Sequence, residues 1–294
     1  MSRADAHPAR AGLLLLDKPA GASSFGAIAA LRPVLGRRVG HAGTLDPFAT
    51  GLLLVLAGRA TRLARFLSGV DKRYTATVRF GVRSTTDDPE GELEPAEGRT
   101  DAASVEAALA ALRGPIVQVP PAASAIHVDG ERAYRRFRRG EAVAVPARAV
   151  TVHGLELVGF DADRQEAELD VHCSTGTYVR AIARDLGEAV GTGAHCAALR
   201  RTAVGPFDLE SAATPDVARE RPFDAPHWRE PADAVAHLAS ERLDEERLAA
   251  VRHGRAVPVA AGDGPVALLA PDGGLVAVGA AADGVARPET VLAG

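Results

Sequence analysis

The sequence predicts a mixed α/β fold that ends in a small β-rich module, and three patterns carry that prediction. Lys72–Phe80 alternates cleanly, with Tyr74, Ala76, Val78 and Phe80 on one face and Thr75, Thr77 and Arg79 on the other, as a half-buried strand requires. Helical spacing appears at Ile28, Leu31 and Leu35, and again at Val105, Leu109 and Leu112. From about Leu243 the texture changes to short apolar runs separated by Asp-Gly turns. At 294 residues, 47% hydrophobic and 24% charged, the chain can bury a core large enough for one large domain and a small one.

Charge is unevenly distributed. The net charge is −4, yet residues 1–150 hold 21 Lys and Arg against 15 Asp and Glu, while the remainder holds 13 against 23. Basic charge thus concentrates in the first half, as phosphate binding needs. No stretch reaches the ~18 apolar residues of a membrane-spanning helix. Residues 1–12 are polar and expected to fray, and the apolar run at 13–16 is too short for an export signal, so the cytoplasm is the expected compartment. Cys173 and Cys196 lie far apart without a CxxC, and are expected to be buried packing residues.

Taken in order, the leucines at 13–16 followed by Asp17-Lys18-Pro19 read as a buried strand that ends at the proline. Ala20-Gly21-Ala22-Ser23-Ser24 is a turn, and Ser23 or Ser24 can cap the next helix. Then comes His41-Ala42-Gly43-Thr44-Leu45-Asp46-Pro47-Phe48-Ala49-Thr50-Gly51, whose only acid is Asp46. Gly43 and Gly51 can take backbone conformations closed to other residues, Pro47 fixes φ, and the apolar run at 52–57 anchors the far end. A carboxylate held there is either a nucleophile or general base, or a turn-former, since Asp-Pro is common in turns and Asp caps helices. Arg59, Arg62 and Arg65 add positive charge. The acidic stretch 83–98 reads as a surface loop or a hairpin around Pro89-Glu90-Gly91, and 101–113 as an amphipathic helix stopped by Gly114-Pro115.

Arg132, Arg135, Arg136, Arg138 and Arg139 fall within eight positions, interleaved with Tyr134 and Phe137. They form either a solvated helix face or an anion-binding surface; the lack of balancing acids favours the second. Residues 155–160 and Glu166–Cys173 look like paired strands, the second leading through Ser174-Thr175-Gly176-Thr177-Tyr178-Val179-Arg180 into a helix ending near Gly187. Prolines 215, 222, 226 and 231 break residues 208–240 into helical fragments, as in an inter-domain stretch. Beyond it, a helical run ends at Gly254, and apolar segments at 257–260, 266–270 and 275–280 suggest a small barrel.

The eleven residues from His41 to Gly51 resemble the active-site motif of the TruB family, the bacterial tRNA pseudouridine synthases that act on the T-loop uridine. Further motifs follow in family order over nearly the whole chain. They are Lys18-Pro19; Lys72-Arg73-Tyr74; Thr86, Asp88 and Gly91 (with Thr85 in place of an acid); Gly176-Thr177-Tyr178-Val179-Arg180; and residues 193–202. The resemblance implies an α/β (α+β) pseudouridine synthase fold. A central, mostly antiparallel sheet would lie in a catalytic domain of residues 1–239, with 120–148 as a mobile RNA-gripping insertion. Residues 240–294 would form a PUA-like RNA-binding domain.

It also implies roles. Asp46 would be the nucleophile, with Arg180 paired to it and keeping it ionised and oriented. Tyr74 would stack on the flipped uracil and is a candidate for the base that removes the C5 proton. His41 would help fill the vacated space, and Tyr178 and Leu199 would line the pocket. Lys18, Pro19 and Gly43 would support the loop, and Arg132, Arg135 and Arg136 would grip RNA. Arg200 and Arg201 either add contacts or are surface charge. Ala123 stands where an aromatic is common and His127 where a lysine is usual, which removes particular stacking or phosphate contacts. The implied partner is the T-arm stem-loop of tRNA, the implied state a monomer. Because the product is an isomer of the substrate, no metal or cofactor is expected. This fits a sequence without a P-loop, GxGxxG, HExxH or zinc-spaced Cys/His cluster.

Two other classes compete. An RNA-binding or RNA-folding protein without chemistry would use the basic half and a terminal RNA-binding module, but has no need of Asp46, Tyr74 and Arg180 together. An aspartate-nucleophile phosphohydrolase would need a second acid for magnesium, and Asp17 is the only nearby candidate.

Overall fold

The computed structural model describes residues 10–128 and 130–292; the first nine residues, expected to fray, lie outside this range. The chain forms two compact units. One takes the described residues up to Asp46, Leu52–Gly69 and those from Gly205 onward, and the other takes Pro47–Gly51 and Val70–Val204.

In the first unit, Gly12–Lys18 is a strand because Leu13, Leu14, Leu15 and Leu16 are all buried, more than an exposed strand could tolerate. Trp228–Arg229 pairs with it antiparallel, Leu14 opposite Trp228, and the amides of Leu15 and Asp17 donate to the carbonyls of His227 and Ala213, both at 2.8 Å. The proline-rich stretch expected as a linker therefore wraps onto the first strand. Pro215 does not break a helix but opens one, Pro215–Glu220, at the position where a missing N–H costs nothing, with Thr214 as its cap. Of the two serines that could cap the next helix, Ser23 caps Ser24–Ala29. Val39–Ala42 pairs antiparallel with Thr50–Ala57, Ala42 opposite Leu54, so the Asp46 segment joins two strands.

The end of the chain is a five-stranded sheet in the order Ala239–Arg242, Gly264–Leu269, Leu275–Ala282, Val285–Val291, Val257–Pro258. Helix Glu245–Arg252, capped by Asp244, closes its core with Leu248 and Val251 against Val266, Leu268 and Val276. The Asp-Gly signal read from the sequence is a two-residue hairpin turn, with Asp283 at φ 52° and Gly284 at φ 75°. Arg59 and Arg62 donate to the carbonyls of Leu292 (3.0 Å) and Val291 (2.8 Å), and Arg65 pairs with Glu289 at 2.6 Å. These three arginines, counted from sequence as charge for a partner, hold the last strand of their own chain.

In the second unit, Lys72–Phe80 lies between Glu166–Cys173 and Ala194–Val204, antiparallel to both. Arg148–Asp161 extends the sheet outward to Gly114–Gln118. The period-two pattern holds: Lys72, Tyr74, Ala76, Val78 and Phe80 are buried, and Thr75, Thr77 and Arg79 are not. Thr50 and Gly51, facing Arg200 and Arg201, run parallel, while the strand pairings just described run antiparallel, so the sheet is mostly antiparallel as expected. Ala102–Leu109 buries Val105 and Leu109, but Leu112 falls in the tighter turn that follows and stays half-exposed. Cys173 and Cys196 are buried, and burial pushes the Cys173 thiol up to about 11.

Candidate active site

The loop around Asp46 has the backbone that its glycines allow. Gly43 sits at φ 78° and Gly51 at φ 99°. A Cβ on Gly51 would lie 2.3 Å from the Arg201 carbonyl oxygen, so no larger residue fits beside that strand. One residue before Asp46 the chain is pinned. The buried Ser24 hydroxyl donates to the Leu45 carbonyl and accepts from the Leu45 amide, both at 2.9 Å. The turn leading to Ser24 is itself closed by Lys18, which is fully buried and donates to the carbonyls of Pro19 (2.8 Å) and Ala22 (2.7 Å). Sequence reading named Lys18 and Pro19 but saw Ser24 only as a possible cap. A contact between residues 21 positions apart leaves no spacing signal.

Arg180 begins the helix Val179–Ala189 and is 2% exposed. Its guanidinium donates to Asp88 Oδ2 (2.7 Å) and to the carbonyls of Thr86 (2.8 Å) and Ala123 (3.1 Å). Asp88 Oδ1 accepts from the Thr86 hydroxyl at 2.6 Å and the Glu90 amide at 3.0 Å. Both oxygens are thus satisfied, as a buried ion pair must be to repay its desolvation. The hairpin of Val82–Ser84 and Leu93–Pro95 presents this turn. Asp88 was matched to the acidic motif from sequence, but its pairing with Arg180 was not foreseen, since Arg180 was assigned to Asp46 alone. A second pair, Arg184–Asp87 at 2.8 Å, lies on the same helix. Burial raises the Asp87 carboxyl above its usual range, against the pull of Arg184 and Arg180.

Sheet register gathers the pocket candidates. Tyr74 lies opposite Val171 and Arg201, and Ala76 opposite Leu199, so Tyr74, Leu199 and Arg201 share a face. Arg201 is only 1% exposed, which excludes the surface-charge reading offered for it. Lys72, on that same face, is pushed down to about 8, first by burial and then by the charge of Arg201. Tyr178 is fixed twice. The fully buried Gln118 donates to its carbonyl at 3.0 Å and accepts from its amide at 2.8 Å, and the Arg148 guanidinium lies 4.9 Å over its ring.

The arginine run occupies Ala133–Arg138 and its flanks. Acids balance part of it, contrary to the expectation. Arg139 pairs with Glu131 and Glu141, all at 2.7 Å, and Arg136 with Glu141 at 2.9 Å. Arg135 reaches the Tyr134 hydroxyl and Arg138 lies over the Tyr134 ring, and neither enters a salt bridge among the described residues. Arg132 lies opposite His127 in a small hairpin. Asp46 and His41 belong to the first unit, and Tyr74, Tyr178, Arg180 and Leu199 to the second. Among the described residues no group of three or more His, Cys, Asp or Glu side chains could hold a metal ion.

A family model described as TruB family pseudouridylate synthase (N terminal domain) matches residues 32–179, which contain Asp46, Tyr74, Asp88 and Tyr178. The chain belongs to the TruB family. A second model, described as the tRNA pseudouridylate synthase B C-terminal domain, continues the match over residues 180–219. The chain is 44% identical over 299 residues to the tRNA pseudouridine synthase B of Arthrobacter sp. (strain FB24), with 96% of each chain covered. It is 46% identical over 294 residues to that of Thermobifida fusca, with 96% and 99% covered. Among solved structures, a chain of a Cbf5–Nop10–Gar1 complex superposes with TM-score 0.74 at 25% identity, over 95% of this chain and 84% of that one. TruB membership makes the chain a pseudouridine synthase, an isomerase, and removes the phosphohydrolase reading.

Proposed function

We propose that this TruB-family enzyme converts the T-loop uridine of tRNA to pseudouridine, with Asp46 as nucleophile. The observation that carries the reading is the near full-length match to relatives named tRNA pseudouridine synthase B, with the Asp46 motif intact. Support comes from the pinned Leu45 before Asp46 and from Arg180 held rigid by Asp88.

The reaction breaks the C1′–N1 bond, turns the uracil and forms C1′–C5; the C5 proton leaves and N1 gains one, so atoms and electrons balance without a redox partner. The uridine leaves the loop and stacks on Tyr74, with Tyr178 and Leu199 around it and His41 in the space it vacates. Flipping costs a few kcal/mol, and each stacking contact returns about 1–3 kcal/mol. Pocket aromatics therefore offset most of the extrusion. Asp46 acts either at C1′ or through a glycal. Arg180 keeps its carboxylate ionised, and Tyr74 takes the C5 proton. Residues 120–148 grip the RNA through Arg132, Arg135 and Arg136, and 240–294 add a modest RNA-binding surface of PUA type. The enzyme acts as a cytoplasmic monomer.

The test is a set of tRNA transcripts tritiated at uracil C5. Tritium release is expected from the wild-type transcript and is lost when the T-loop uridine alone is changed to cytidine. Undiminished release from that changed transcript would overturn the site assignment.

A further inference from the structure

Among the described residues, one guanidinium stacked on the Tyr178 ring has a buried Nε that meets no acceptor. Arg148 opens the strand Arg148–Asp161, its backbone opposite Gln118. Its side chain lies 4.9 Å over the Tyr178 ring and against the backbone of Gly176, where a Cβ would come 3.7 Å from Arg148 Cζ. That is ordinary contact distance; what calls for glycine here is its φ of 87°. Arg148 Nε is shielded from solvent without a hydrogen-bond partner. Among the described residues the side chain enters no salt bridge either. The terminal guanidinium nitrogens of Arg180, whose Cζ lies 5.9 Å from the same ring, do reach acceptors, on Asp88, Thr86 and Ala123, and Arg184 reaches Asp87, Asp185 and Val119.

A guanidinium partly stripped of water with no acceptor is unfavourable, and a rigid fork of unmet donors fits an incoming anion. Arginine is suited to this double duty, stacking by its face while its edge grips a phosphate. Gln118 holds the backbone amide and carbonyl of Tyr178, which fixes the point from which the ring departs beside Arg148. We propose that Arg148 is a further substrate-binding residue, gripping an RNA backbone phosphate that flanks the target uridine while its stack holds the Tyr178 ring in place. This rests on the tRNA reading above.

The test is a double-mutant cycle on Kd, using a T-arm stem-loop whose phosphate on either side of the target uridine is replaced by an uncharged methylphosphonate. For wild type, one of the two replacements is expected to weaken binding about ten-fold, the size of a charged hydrogen bond. Arg148→Gln is expected to bind the unmodified RNA about ten-fold more weakly and to lose nothing more on that replacement. Arg148→Lys keeps the charge and stays sensitive to the replacement, which also guards against a glutamine variant that fails to fold. Losses that add in Arg148→Gln, or a wild type indifferent to both replacements, would overturn the proposal. A wild type that makes no pseudouridine in the unmodified stem-loop would instead overturn the tRNA reading on which it rests.

Discussion

Arg180 and Asp88 show what a single buried charge depends on. Both side chains are almost fully buried and pair at 2.7 Å. Removing one member leaves the other desolvated and uncompensated, so Asp88→Ala is expected to destabilise the fold by about 3–5 kcal/mol in denaturant unfolding. Asp88→Asn keeps the size and one acceptor, and is expected to lower kcat more than it raises KM, because it loosens a positioned guanidinium and not an RNA contact. Lys72 gives a pH prediction. Its pKa is about 8 in the folded chain against 10.5 ordinarily, so between those values the unfolded chain binds the proton more readily. Folded stability therefore rises as pH climbs through that window. Lys72→Met removes the effect, and its stability advantage over wild type is expected to shrink from pH 7 to pH 10; an advantage that stays constant would contradict the shift. Asp46, Tyr74 and Tyr178 could be singled out in the sequence because they sit inside short, specific strings. Asp88 beneath Arg180, Gln118 beneath Tyr178 and the burial of Arg201 were not, since each depends on a partner brought close only by folding.

Elements whose periodicity is local were the most legible. Lys72–Phe80 reads correctly because alternation of side chains is a property of the strand itself. The Asp283-Gly284 turn reads correctly because few residues tolerate two positive φ angles in succession. The short strand Val39–Ala42 was invisible: four residues with Gly40 among them carry no pattern. Pro215 misled for a related reason, since a proline ends a helix or begins one according to what precedes it, here Thr214 as cap. The strand after the Asp46 loop makes its own prediction. Gly51→Ala would force a Cβ to within 2.3 Å of the Arg201 carbonyl at a φ of 99°, and is expected to cost at least 1–3 kcal/mol. Thermal unfolding measures it; a Tm equal to that of wild type would mean the two strands part easily there.

For the whole molecule, charge counting found the basic half but overstated what is available to RNA. Arg59, Arg62, Arg65, Arg136 and Arg139 have partners within the chain. Of the arginine run, Arg132, Arg135 and Arg138 form no salt bridge among the described residues. Arg132→Ala and Arg135→Ala are each expected to reduce the slope of log K against log salt by roughly one, whereas Arg139→Ala, already paired to two acids, leaves it nearly unchanged. Equal slopes for all three variants would contradict this division. Whether such binding ends in chemistry turns on Asp46. The most direct measurement is pseudouridine formation in an unmodified T-arm stem-loop by wild type and by Asp46→Asn, with RNA binding recorded for both. The nucleophile assignment predicts that Asp46→Asn binds the RNA and forms no product; product at the wild-type rate from that variant would contradict it.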